Sequence, residues 1–523
     1  MPSEPDDRPS EGASPGAGGS RSAPSRLVRI ALGAAVALVV GLACWQHWSV
    51  LSASPFPLGV DGYFYPIQVR AILEHGALAY PASPLTFYWM APFALFSDPI
   101  VGAKLGAALG CALVAMPAYG VGKQLGGGPG AGVLAAVLAA LSAGAGFLSI
   151  EFVKQGIGLT VALVALWAVL GALETTTRRR AIGAAAAVGF AFATHKMAGA
   201  IVLVIVAPAV VMRARALLRG RRLIYAVLGG IAIAVTLIIL GLAAPHRFVS
   251  ARDLLLVGDL VTSRANGRGD ALAAPGGTIA WQHEALVAGV LAVLAAGVLW
   301  TKPLTRELRA CGWMIVVLGL VIGSPWLRID DPQGLGFRLR AAAFVPMALC
   351  AAICAGALAR ILVGLRVPVI VREAILVGGA AVIAIVQLSC DRTEGRVLTH
   401  PALAAAVAAA NGHLPAGATV IVPERHILYM VDWYTRAPVR LRPESVPFTQ
   451  RIRMLGLVYI GGPDGVVSAT LDAARHDPLV APPITLHAGH RNGLVLVSEP
   501  TWNWVLAQLP RDAHAYFARW PTI

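Results

Sequence analysis

Charged side chains are scarce in this sequence, since Asp, Glu, Lys and Arg together make up 13% of its 523 residues. A soluble domain usually carries about 25% charged residues, so this composition excludes an ordinary soluble enzyme. Apolar residues supply 57% of the chain. That balance is typical of a protein embedded in a lipid bilayer.

Acidic side chains are the scarcer of the two signs: 27 acidic residues face 42 basic ones, for a net charge of +15. On a soluble protein this excess would suggest a nucleic-acid partner. A nucleic-acid surface needs basic residues interleaved with aromatic ones, whereas here the basic residues cluster between apolar runs. We therefore expect membrane lipids and lipid-linked molecules as partners, and no nucleic acid.

Cysteine is rare as well. The six cysteines lie in or beside apolar runs, and no CxxC or His-rich spacing accompanies them. This excludes a zinc site built from such motifs and favours small apolar packing residues.

The apolar runs predict about eleven membrane spans. The first covers 27–48, and the others lie near 99–121, 130–149, 156–174, 181–195, 197–212, 223–243, 284–300, 311–326, 341–362 and 373–389. Residues 1–26 are rich in Pro, Ser and Gly and predict a disordered cytoplasmic tail. The abundance of Ala, and of Arg over Lys, indicates a GC-rich bacterial genome and hence a bacterial inner membrane.

The basic clusters all fall in alternate loops, which predicts that these loops and the N-terminus are cytoplasmic. An odd number of spans then places 391–523 outside. That segment predicts short strands near 418–422, 455–460 and 493–497 and a helix over 424–434. The predicted fold class is an all-α polytopic membrane domain over 27–390, with an outer loop at 46–98, followed by a small extracytoplasmic α/β domain.

Asp61 precedes a short helix in the first outer loop. Pro66 suits a first helical turn and Gly76 a helix end, so this helix is expected to lie along the membrane interface. A carboxylate held there can act as a general base toward an acceptor hydroxyl. The alternatives are that Asp61 caps the helix or pairs with Arg70.

The Asp61-Gly-Tyr-Phe-Tyr run, the interfacial helix and the segment 80–89 together resemble the first outer loop of the GT-C superfamily. These are polytopic glycosyltransferases that use polyprenyl-phosphate-linked sugars. The resemblance implies transfer, usually with inversion, to an extracytoplasmic glycan or lipid acceptor, with Asp61 as the base. It departs from protein O-mannosyltransferases because Gly62 replaces their second acid, and from oligosaccharyltransferases because 431–434 reads VDWY rather than WWD. The subfamily and the acceptor therefore stay open.

Glu151 occupies the loop where metal-using members of the superfamily carry an acidic motif. It has no second carboxylate beside it, and a hard divalent cation requires several oxygen ligands. A surface pair with Lys154 is the alternative. The sequence thus requires no cofactor and leaves a divalent cation open.

Outward-facing cations are the remaining site candidates. His195 and Lys196 lie at the outer boundary between two spans, where they either contact the donor phosphate or, for the lysine, reach the lipid headgroups. Among GT-C members an Arg at the outer start of a late helix grips the lipid phosphate. Arg338 is the residue that aligns with it, with Arg340 in reserve, and pairing with Asp330 or Asp331 is the alternative.

Two further interpretations of the sequence stay open. The loop 244–283 is either a mobile lid or a solvated connector. The chain as a whole could instead be a transporter or flippase of a lipid-linked saccharide, which predicts polar residues deep in the spans, or a non-catalytic assembly partner.

Overall fold

The computed structural model describes residues 26–59, 61–217, 235–236, 239–243, 280–301, 304–324, 335–389, 419–421, 425–436, 439–440, 454–461 and 492–498. Outside these residues lie the predicted tail except Arg26, most of the predicted span 223–243, nearly all of the loop 244–283, and Asp330 and Asp331.

The membrane part is helical. In chain order its described helices are α1 Arg26–Leu51, α2 Phe64–His75, α3 Leu85–Ala94, α4 Pro99–Ala112, α5 Ala115–Gly126, α6 Pro129–Ala140, α7 Ala143–Glu151, α8 Val153–Glu174, α9 Arg178–Thr194, α10 Lys196–Leu217, α11 Ala280–Thr301, α12 Arg306–Gly323, α13 Leu335–Ala341, α14 Phe344–Gly364 and α15 Val369–Ser389.

Among the described residues, seven segments are long and apolar enough to cross a membrane, or eight if the bent pair α6–α7 forms one span. The prediction of about eleven spans is therefore met only in part. α9 has 17 residues, and α12 has 18 with Arg306, Glu307 and Arg309 in its first turn, so neither is an uninterrupted apolar span. Both nevertheless pack within the bundle, and the predicted polytopic all-α fold is confirmed.

The predicted interfacial helix is present as α2. It ends at Gly76, which has a φ of 68° and whose N–H donates to the carbonyl of Ile72. A left-handed residue closes a helix in this way, and glycine adopts that conformation without strain. α4 begins more conventionally, because Asp98 accepts hydrogen bonds from the N–H groups of Ile100 and Val101 and Pro99 occupies the first turn.

One end of the bundle, here called the basic end, is formed by the loops that carry the basic clusters of the sequence. Arg213 donates to Thr176 at 2.9 Å and lies 3.7 Å from Glu307, so three of the predicted cytoplasmic loops meet at one end. α8 has 22 residues, and its two ends are therefore about 33 Å apart. Thr176 follows one end of α8 and Lys154 lies at the other, which places the outer loops and the candidate site opposite the basic loops.

Small residues allow close helix packing in the bundle. A Cβ on Gly289 of α11 would lie 3.2 Å from the Cα of Gly323 on α12, so the two backbones touch there. Cys111, Cys311 and Cys350 are buried and free, as expected of packing residues, while Cys390 lies outside the described residues.

The C-terminal segment combines strands with one helix, α16 Arg425–Thr435. The strands are β1 Thr419–Ile421, β2 Val439–Arg440, β3 Met454–Gly461 and β4 Asn492–Ser498, in the sheet order β2-β1-β3-β4. β1 is parallel to β2 and β3, whereas β3 and β4 are antiparallel with Val458 opposite Val495. The predicted α16, β1, β3 and β4 are confirmed. β2 was not predicted, because two residues carry no local strand pattern.

Candidate functional site

The Asp61 loop rests on the end of α7. Gly59 has a φ of 85°, and a Cβ at this position would lie 2.6 Å from the carbonyl oxygen of Ile150 and 3.2 Å from Oε2 of Glu151. Only glycine fits both the conformation and the space. This contact brings Asp61 and Glu151, which the sequence predicts as separate candidates, into adjoining loops.

The two alternative roles of Asp61 are not observed among the described residues. Tyr63 is the N-cap of α2 and no side chain caps the helix. Arg70 donates instead to the carbonyl of Trp433 at 2.9 Å, and its guanidinium lies 4.5 Å from the centre of the Trp433 ring. Neither the cap nor the Arg70 pair is therefore the role of Asp61 among the described residues.

Tyr65 on α2 is close enough to Asp61 to be affected by its charge. Burial raises the pKa of the Tyr65 hydroxyl, and the negative charge of Asp61 raises it further. The backbone N–H groups of Val153 and Lys154 act in the opposite direction, because they hydrogen-bond to the Tyr65 oxygen. Tyr65 therefore connects the first outer loop to the start of α8.

Lys154 continues this connection. Its Nζ lies 4.9 Å from the centre of the Phe64 ring, a cation–π distance. The sequence alone suggests Lys154 only as a surface partner of Glu151, and the structure adds a contact with the helix that follows Asp61. The positive-inside rule leaves the outer loops poor in cations, so a cation in a predicted outer loop stands out in the sequence. This signal singles out Arg338, and it applies equally to Lys154.

His195 lies between α9 and α10, surrounded by positive charge. Its pKa is lowered to about 3, first by burial and then by the charges of Lys154, Arg338 and Lys196. Three cations from distant parts of the chain are thus close enough to act on one ring. The imidazole is neutral at pH 7, so any contact with a phosphate would use a neutral N–H rather than an imidazolium.

Arg338 joins the cluster through α7 and α8. Its guanidinium lies 5.4 Å from the centre of the Phe152 ring, and its backbone carbonyl accepts a hydrogen bond of 2.7 Å from Nε2 of Gln155. Arg340 is engaged elsewhere, donating at 2.9 Å to the carbonyl of Ser324 at the end of α12. The structure thus places Arg338, rather than Arg340, beside His195.

Helix α16 covers the outer side of α2. The hydroxyls of Tyr434 and Tyr63 are 3.0 Å apart, and Tyr80 donates to Oδ2 of Asp432 at 2.7 Å. Tyr429 adds a ring contact with Phe64 at 5.0 Å between centroids. The C-terminal segment and the first outer loop therefore share one face of the protein and one buried cluster.

Within the described ranges, no three His, Cys, Asp or Glu side chains come together. Mg²⁺ keeps several waters and binds through one or two carboxylates together with substrate phosphates, so Asp61 and Glu151 leave the sequence prediction on a divalent cation open. The steps described below use only the side chains of this protein.

The protein thus combines a helical membrane domain, in which α2 follows Asp61, with a helix of the C-terminal segment, α16, that packs on α2. Neither a family model nor a curated protein matches the chain. Solved structures do match, and at the level of fold they support the resemblance predicted from the sequence.

One such structure is ArnT from Cupriavidus metallidurans in the apo state. It has a TM-score of 0.50 and 16% sequence identity, with 90% of this chain and 98% of ArnT covered. Another is ArnT from the same organism bound to undecaprenyl phosphate, with a TM-score of 0.47, 16% identity and the same coverage of 90% and 98%.

Proposed function

We propose that this chain is a membrane glycosyltransferase that transfers a sugar from a polyprenyl-phosphate-linked donor to a glycan or lipid acceptor outside the bacterial inner membrane. One observation carries the proposal: the Asp61 carboxylate lies at the same end of the bundle as the cations around His195. Tyr65 and Lys154 connect the two parts. A base beside phosphate-binding cations is the arrangement that such a transfer needs.

The cations act on the donor. Arg338 presents a planar set of N–H donors that suits phosphate oxygens, and it stays charged at any working pH. Lys154 and Lys196 add positive charge near it. As the bond between the anomeric carbon and the phosphate oxygen breaks, its electron pair stays on the polyprenyl phosphate. The cations stabilise that growing negative charge.

Asp61 acts on the acceptor. Its carboxylate accepts the proton of the acceptor hydroxyl while the hydroxyl oxygen forms its bond to the anomeric carbon. The leaving phosphate needs no proton, because it is a good leaving group. The reaction therefore requires one base and no separate general acid, which agrees with a site containing one early carboxylate and several cations.

The proposed orientation is inferred from the basic clusters of the sequence. The loops around Thr176, Arg213 and Glu307 form the basic end, which the positive-inside rule assigns to the cytoplasm. In the proposal the opposite end, with Asp61 and Arg338, faces outward. Because α16 contacts α2, the proposal puts the C-terminal segment outside as well.

The proposal takes only its fold from the similarity to ArnT. The lipid-phosphate carrier is inferred from the cation cluster and from the sequence resemblance. Neither the cation cluster nor the sequence resemblance identifies the sugar or the acceptor.

The test uses the full-length protein in proteoliposomes with radiolabelled undecaprenyl-phosphate-linked sugars and bacterial envelope glycans and glycolipids as acceptors. We expect label on an acceptor and release of undecaprenyl phosphate. Label that stays on its carrier while the carrier crosses the bilayer would instead identify a flippase and refute the proposal.

A further inference from the structure

Glu284 is a carboxylate within a membrane span, and the steps described above do not use it. It lies one turn into α11, in the segment His283–Thr301. Both of its oxygens accept backbone hydrogen bonds, Oε1 from the N–H of Ala143 at 2.6 Å and Oε2 from the N–H of Gly144 at 2.9 Å. An ionisable residue inside a membrane is costly, so its presence requires a specific role.

The two N–H groups belong to the first turn of α7, at the point where the α6–α7 span bends by 43°. Ser142 completes the cap, because its Oγ accepts a hydrogen bond of 3.0 Å from the N–H of Ala145. The first N–H groups of a helix have no partner within the helix, and a carboxylate there also interacts favourably with the helix dipole. Glu284 thus fixes both the start and the direction of α7.

Contacts from the other side hold the same turn. A Cβ on Gly144 would lie 2.8 Å from the carbonyl oxygen of Ala341 and 3.0 Å from Cδ1 of Phe344, so α7 begins against the junction of α13 and α14. Arg338 lies on α13, three residues before that carbonyl. The start of α7 is therefore held between Glu284 and the helix that carries the phosphate-binding arginine.

The far end of α7 reaches the candidate site. Phe147, Phe152 and Phe337 form a triangle of ring contacts with centroids about 6 Å apart. The Phe152 ring in turn lies under the guanidinium of Arg338. α7 has nine residues and is about 13 Å long, so a tilt of about 10° at its start moves its end by about 2 Å.

We propose that Glu284 is a positioning residue for phosphate binding: by capping α7 it sets where Phe152 and the aromatic triangle hold Arg338. This inference rests on the proposed function for the role of Arg338. Glu284 itself touches no reacting atom.

Glu373 provides a matched control. Its Oε2 accepts a hydrogen bond of 2.7 Å from the N–H of Gly130 in the first turn of α6. It is thus a second carboxylate that caps the same bent span, but at the basic end of the bundle, away from Arg338.

The experiment measures binding of undecaprenyl phosphate to the full chain in nanodiscs. E284Q keeps one acceptor oxygen for two N–H groups, and we expect its Kd to rise about tenfold because a displacement of about 1 Å at a site has large effects. E373Q should stay within twofold of wild type. In an R338A background E284Q should raise the Kd for undecaprenyl phosphate by less than a further twofold, since Glu284 acts through Arg338. A general loss of folding would instead lower affinity further in that background.

S142A removes only the third capping hydrogen bond, the one from the N–H of Ala145 to Oγ of Ser142, and we expect its Kd for undecaprenyl phosphate to rise about threefold. This variant provides the test if E284Q folds poorly. Wild-type affinity in a folded E284Q would overturn the inference, as would wild-type affinity in S142A if E284Q does not fold, or an E284Q effect that persists undiminished in R338A. If R338A binds as wild type does, the proposed role of Arg338 is wrong and this inference falls with it. If R338A binds weakly and E284Q binds normally, only the Glu284 inference fails.

Discussion

The hydroxyl of Tyr434 lies 3.0 Å from the hydroxyl of Tyr63, which joins two side chains 371 positions apart. Tyr63 is two positions after Asp61, and Tyr434 lies in the last turn of α16, the helix that covers α2. The C-terminal segment is therefore part of the framework that holds the candidate base.

This contact predicts coupling between the two tyrosines in sugar transfer. Removing either hydroxyl, in Y63F or Y434F, should cost about 1 kcal/mol, which is about a fivefold loss of rate. The double variant should lose no more than either single one, because the same hydrogen bond is broken. Y88F is the control, since the Tyr88 hydroxyl donates to the Gly76 carbonyl outside this interface. If the fold losses of rate in Y63F and Y434F multiply in the double variant, the two hydroxyls act separately.

Acid should not release α16 from α2. Burial raises the pKa of Asp432, while the hydrogen bond from Tyr80 and the charge of Arg70 partly offset the rise. A carboxyl whose pKa is raised on docking favours the docked state at low pH and loses that benefit as the pH rises through its pKa. D432N keeps an acceptor oxygen for Tyr80 and should dock normally, whereas D432A should not. Limited proteolysis around α16 between pH 4 and 8 measures this, and faster cleavage of the wild type at pH 4 would contradict it.

His195 should not contribute a charge change between pH 5 and 8. Its pKa is lowered to about 3 by burial and by Lys154, Arg338 and Lys196, so the ring stays neutral across this range. The phosphate itself titrates near neutrality, so wild type has to be compared with H195Q. The ratio of their affinities for undecaprenyl phosphate should be constant from pH 5 to 8. A wild-type advantage that grows toward pH 5 would show that the imidazolium binds the phosphate.

The two ends of the bundle predict the topology. A C-terminal alkaline phosphatase fusion should be active and a fluorescent-protein fusion dark, because the proposed orientation puts the segment that docks on α2 outside. The matched fusion after Thr176 should give the reverse result, since Thr176 contacts Arg213 at the basic end. A cytoplasmic C-terminus would contradict the proposed orientation.

Local patterns in the sequence predict those parts of the fold that depend on local chemistry. Pro66 and Gly76 predict α2, and the alternation of loops predicts that Asp61, His195 and Arg338 lie at one end. That pattern does not predict which side chains meet there. The contact of Lys154 with Phe64, the pairing of Tyr434 with Tyr63, and the cap that Glu284 provides at the bend after α6 all join residues far apart in the chain. Only the packed structure brings them together.

The role of Asp61 is tested most directly by the transfer rate of D61N from an undecaprenyl-phosphate-linked sugar. Loss of a general base should lower the rate by about 10²–10⁴-fold while binding of undecaprenyl phosphate stays within twofold of wild type. D98N is the control, because Asp98 caps α4 through one acceptor oxygen, Oδ1, which an amide oxygen can replace, and it should retain the wild-type rate. Full transfer by D61N would contradict the account.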